Sequence, residues 1–90
     1  MNTMFLLMAK FNDANIPLAD IAEQYMGMSA QMADRKATEG SLPIHTYRIG
    51  VSQKAPRMIH VKDLADYIDK QRKEAKEEWD YLQTNLKQKQ

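Results

Sequence analysis

Ninety residues, 43% hydrophobic and 28% charged, with three Gly and three Pro, fit one small globular domain rather than a disordered or fibrous chain. The absence of Cys excludes a disulfide framework, a thiolate metal site and a cysteine nucleophile, and fits a reducing compartment. Thirteen bases against twelve acids leave a net charge of +1, and the longest apolar run, Met4 to Ala9, is too short for a membrane span or a signal core, so a soluble, cytoplasmic chain is expected.

Asn2 or Thr3 can cap a first helix over residues 3–11, with Phe5, Leu6, Met8 and Ala9 facing the core. The same short run also fits an inward strand, but Leu, Met, Ala and Lys favour the helix. Asn12 to Asn15 is a turn, rich in side chains that bond their own backbone. Ile16-Pro17 then opens a second helix, with Pro17 in the first turn, where its missing N–H costs nothing. Leu18, Ile21, Ala22 and Tyr25 form its apolar stripe, and Gly27 ends it as a left-handed residue. Ser29 caps a third helix over about 30–39, with Met32, Ala33 and Lys36 or Ala37 on or beside the buried side, and Gly40 closes it. Two short helices joined by a tight glycine turn outline a helix-turn-helix.

Alternation in Ile44 to Ile49 and in Arg57 to Val61 predicts a two-stranded hairpin with a polar tip over Gly50 to Pro56. Setting Tyr47 opposite Ile59 points Tyr47, Ile49, Ile59 and Val61 inward, and Thr46, Arg48, Met58 and His60 outward. A last helix starts at Lys62 and meets no Gly or Pro before about Leu86. Its first turns bury Leu64, Ala65, Tyr67 and Ile68. Farther along, Ile68, Ala75 and Leu82 form one heptad column, while Arg72, Trp79 and Leu86 form the other. A Trp on a helix that outruns its own domain suggests a second copy of the chain, with Ile68, Ala75, Trp79, Leu82 and Leu86 as the contact. The competing reading folds this helix back onto the first. The layout divides the chain into a domain over 1–70 and a helical extension over 71–90.

The expected fold is therefore α+β and mostly helical: a winged helix-turn-helix with a two-stranded wing and a long C-terminal helix. Such an order sets the third helix in a DNA major groove, exposing Ser29, Gln31, Asp34, Arg35 and Thr38. Arg35 can grip a guanine edge bidentately and Gln31 an adenine edge, while Ser29 and the helix N-terminus suit a phosphate. Lys36 lies beside them. From the wing, Arg48, Ser52, Gln53, Lys54 and Arg57 can reach phosphates or an adjacent groove. Charge agrees with this division. Residues 29–61 hold five bases (Arg35, Lys36, Arg48, Lys54, Arg57) against Asp34 and Glu39, a balance of +3, while residues 1–28 stand at −2 and residues 62–90 at zero. Each feature has a duller counterpart: helix-turn-helix outlines occur without nucleic acid, Arg35 can pair with Glu39 one turn on, and Ser52 to Lys54 can be a solvated turn.

With these residues in place, the sequence resembles the pyocin activator PrtN family of bacterial and phage transcription activators. The matching stretches are Asn2-Thr-x-Phe-Leu-Leu-Met-Ala9, Ile16-Pro-Leu18, Arg35-Lys36, Leu42-Pro-Ile44, Ser52-Gln-Lys54 and Val61-x-Asp-Leu-Ala-x-Tyr-Ile-Asp69. The resemblance implies a DNA-binding activator of bacteriocin or prophage genes, acting without a cofactor, and it leaves residues 70–90 uncovered. The layout is also similar to excisionase and AlpA-like winged helices. Expected partners are duplex DNA, a second copy and RNA polymerase, with no membrane and no small-molecule substrate. An enzyme is not expected. Gly27, Gly40 and Gly50 stand singly, so no phosphate loop exists, and His45 and His60 fall on opposite hairpin faces in the register above, which argues against a shared metal. Two alternatives remain: an architectural DNA-bending protein of excisionase type, and a protein-interaction module built on the C-terminal helix.

Overall fold

Local capping chemistry sets most helix boundaries. The computed structural model describes residues 2–50 and 54–88. Helix α1 (Thr3–Phe11) begins at Asn2, whose side chain accepts the Met4 amide, and ends at Asn12 in the left-handed region. Helix α2 (Leu18–Met26) ends at Gly27, with φ of 68°, and the N–H groups of Gly27 and Met28 both return to the Ala22 carbonyl. Helix α3 (Ala30–Glu39) starts at Ser29, whose hydroxyl accepts the Met32 amide at 3.1 Å, and stops at Gly40.

Three strands form one antiparallel sheet: β1 (Asn15–Pro17), β2 (Tyr47–Arg48) and the central β3 (Arg57–His60). Helix α4 (Val61–Gln88) follows β3 without a loop. The His60 ring makes this junction possible, because its Nδ1 accepts the Lys62 amide at 3.0 Å in the place a capping hydroxyl would take.

β1 corrects the expected helix opening at Ile16-Pro17. Ile16 pairs with Ile59 and Pro17 with Met58, and Pro17 keeps an extended backbone as the residue before α2. A residue preceding proline is driven toward extended backbone, and an edge strand tolerates the missing N–H, so Asn15–Pro17 pairs before the helix starts. The wing is thereby the outer part of a three-stranded sheet.

The hairpin register differs by one residue from the expected one. Tyr47 stands opposite Met58, and Arg48 opposite Arg57. Ile59 therefore shares its face with Ile16 and Arg57. Tyr47 shares the other face with Met58 and reaches across to Asn15, donating its hydroxyl proton to Oδ1. Ile49 is exposed rather than inward. Ile59 faces the core in either register; the one-residue slip moves Tyr47 and Ile49 of the opposing arm off its face.

The core joins Leu7, Ile16, Leu18, Ile21, Ala22, Ala33, Ile44, Ile59, Val61, Leu64 and Ala65. Ile21, Ile59 and Leu64 are wholly removed from solvent, each worth about 1.5–3 kcal/mol of transfer free energy. The stripe of α2 is as the spacing requires, with Tyr25 half-buried at its end. On α1 the inward side is Met4, Leu7 and Phe11, so Phe5, Leu6, Met8 and Ala9 are exposed instead of buried. Phe11 packs against Tyr25, which fixes that rotation. Helix α4 packs on α1 and β3 through its first turns and then leaves the domain, with residues 69–82 all exposed.

Candidate nucleic-acid interface

Helix α3 turns its small residues inward. Ala33 is fully buried and Ala37 packs beside it, which lets α2 and α3 approach closely. The opposite side then carries Gln31 and Arg35. Both are exposed, and Arg35 makes no ion pair among the described residues, Glu39 included. Ser29, Gln31, Met32 and Arg35 together border an open depression at the start of the helix. Met32 is exposed, which corrects its expected place on the buried side: the phase of Ala33 and Ala37 rotates it out. Lys36 is half-buried on the flank, and its carbonyl is occupied by the turn that follows, accepting the Gly40 and Ser41 amides.

Arg57 links the wing to α3. Arg57, only 14% exposed, donates from Nε to Asp34 Oδ1 at 3.0 Å and from Nη2 to Thr38 Oγ1 at 2.8 Å. Its third contact, from Nη1 to Thr46 Oγ1 at 3.4 Å, lies on the wing itself. Arg57 was expected near the tip. The structure sets it at the tip-side end of β3, opposite Arg48, with its guanidinium turned to α3. Asp34 and Thr38, expected to be free on the reading side of the helix, are turned toward it. The pairing also answers the one acidic side chain in the middle of α3 with a guanidinium, keeping that flank from repelling phosphate.

Arg48 is exposed on β2 and donates from Nε to the Ala55 carbonyl at 3.1 Å, closing the hairpin across its tip. Lys54 is exposed on the returning arm. Ser52 and Gln53 lie outside the described residues. The two histidines have separate roles: His45 Nδ1 lies 3.7 Å from Asp63 Oδ2, while His60 caps α4. Among the described residues no group of three or more His, Asp or Glu is placed to hold a metal ion.

Of the expected contact residues on α4, Ala75, Trp79, Leu82 and Leu86 are exposed, whereas Ile68 packs partly against its own core. Lys76 lies over the Trp79 ring at 5.5 Å and pairs with Asp80 at 3.1 Å, so the polar flank of this segment is internally ordered. No helix among the described residues is long and apolar enough to cross a membrane.

Sequence reasoning missed Met32, the Arg57 anchor and the His60 cap. The first had a readable signal, since Ala30, Ala33 and Ala37 recur on one side of α3. The other two depend on contacts between distant segments or on an atypical capping side chain.

A helix-turn-helix whose second helix is clamped to a small antiparallel sheet defines a mostly helical α+β, winged-helix-like protein. The sequence model of the family described as pyocin activator protein PrtN matches residues 3–75, and the chain belongs to that family of transcriptional activators. That span covers every strand, the first three helices and the first half of α4. No curated protein and no solved structure matches the chain.

Proposed function

We propose that this protein binds duplex DNA with α3 in the major groove and the wing, residues 50–57, on an adjacent groove or its phosphates, and activates transcription from there in the cytoplasm. Arg57 carries this reading: from the tip-side end of β3 it bonds Asp34 and Thr38 and so ties the wing to α3, the two candidate contact elements. Gln31 and Arg35 read base edges. Ser29, Lys36, Arg48 and Lys54 meet phosphates, joined by Ser52 and Gln53 of the tip. Arg57 acts through positioning. The work is binding, with no catalytic step and no cofactor.

A homodimer completes the proposal. The stripe of Ala75, Trp79, Leu82 and Leu86 continues the side of α4 that Val61, Ala65 and Ile68 bury in the domain, and a second copy of the same stripe covers it. Two domains held this way address two half-sites. RNA polymerase is then recruited by a surface facing away from the DNA.

An electrophoretic shift with duplexes drawn from a random-sequence library tests the reading. Retention of a defined subset is expected, and Arg35→Ala weakens binding to that subset more than to bulk duplex. Lys54→Ala lowers affinity for both and reduces the salt slope by about one unit. Flat titrations with every duplex at low ionic strength would rule DNA binding out.

A further inference from the structure

The outer side of α3 is more apolar than a phosphate-binding helix requires. Met32 is 41% exposed, although it adjoins the fully buried Ala33. Consecutive helix residues are turned by about 100°, and the phase that sets Ala33 and Ala37 against α2 carries Met32 outward. Arg57 takes Asp34 and Thr38 on one flank of α3, which leaves Ser29, Gln31, Met32 and Arg35 around an open depression of about 180 Å³ on the other. Within that group Met32 is the sole apolar side chain. Its neighbours carry hydrogen-bonding groups suited to base edges and phosphate.

We propose that Met32 is a specificity-determining residue that contacts the 5-methyl group of thymine. This rests on the DNA-binding reading above. Thymine alone among the four bases presents a methyl group in the major groove, and apolar side chains recognise it by excluding water. An unbranched thioether with three rotatable bonds fits such a contact because it adapts to the groove at low strain. The same exposed methionine tolerates substitution in the free protein, since it belongs to no core cluster.

The test replaces thymine by deoxyuridine, which deletes the methyl group and nothing else. A duplex selected by the full-length protein from a random-sequence library is resynthesised with single replacements throughout. For the wild type, one thymine per half-site is expected to matter, with an affinity loss of about fourfold, the weight of one buried methyl group. In Met32→Ala the same replacement has no effect, and Met32→Leu restores most of the sensitivity. Circular dichroism melts of the three proteins exclude a folding defect. Uniform indifference of the wild type to deoxyuridine, or a Met32→Ala protein with undiminished sensitivity, overturns the Met32 contact while leaving DNA binding intact. Failure of the wild type to select any duplex overturns both.

Discussion

The guanidinium of Arg57, at the tip-side end of β3, stands 3.0 Å from the carboxylate of Asp34 in the middle of α3. The two residues come from different elements, and Asp34 remains 57% exposed while Arg57 is largely enclosed. The pair therefore resembles a surface ion pair from one side and a buried donor network from the other. Its energetic weight lies with Arg57, which would leave Thr38 and Thr46 without their donor if lost.

Arg57→Ala is expected to destabilise the domain by about 1–2 kcal/mol, because a mostly buried charged donor with three acceptors disappears. Asp34→Ala should cost less than about 1 kcal/mol, as its exposed carboxylate is screened by water. Urea melts of both singles and the double variant measure the coupling, expected on the order of 0.5–1 kcal/mol. Strictly additive losses would mean that the two side chains do not act as a pair.

The strand register makes a contrasting forecast for two isoleucines. Ile59→Ala should cost about 2–5 kcal/mol, since it opens a cavity between β1, β3 and α2. Ile49→Ala, at an exposed position, should stay within about 0.5 kcal/mol. Denaturant midpoints decide it. A large loss at Ile49 would favour the register in which Tyr47 faces Ile59.

At the ends of α3, three substitutions separate capping from sterics. Gly40→Ala places a Cβ in open space, so any cost comes from the left-handed backbone alone, about 1–2 kcal/mol. Gly40→Asn should recover part of it, since Asn visits this region more readily. Ser29→Ala removes the acceptor of the Met32 amide and should cost about 1 kcal/mol. Thermal melts with no change at Ser29 would show that water caps the helix equally well.

Deleting residues 76–90 spares every residue of the core cluster, so the remaining domain should unfold within about 0.5 kcal/mol of the full chain measured at concentrations where that chain is monomeric. Under the dimer proposal the shortened protein sediments as a monomer and loses most of its DNA affinity. Trp79 reports the same event in the full chain. Its fluorescence should shift to the blue as concentration rises, because the exposed indole becomes covered. An emission maximum independent of concentration, together with a monomeric mass at every loading, would remove α4 as the interface.

Neighbouring residues alone were enough to locate α2 and α3. The stripe through Leu18, Ile21 and Ala22, the Ser29 cap and the stops at Gly27 and Gly40 follow from interactions within one or two helical turns, and such interactions are written in consecutive letters. The long run of α4 was readable for the same reason: nothing in it breaks a helix. The pairing of Asn15–Pro17 with β3, the Tyr47–Met58 register and the reach of Arg57 to Asp34 had to wait for the folded chain. Each of these is a competition between segments far apart in sequence for one buried surface. The inner face went to Ile16 and Ile59, and Ile49, left outside it, faces the solvent, where a ligand can meet it.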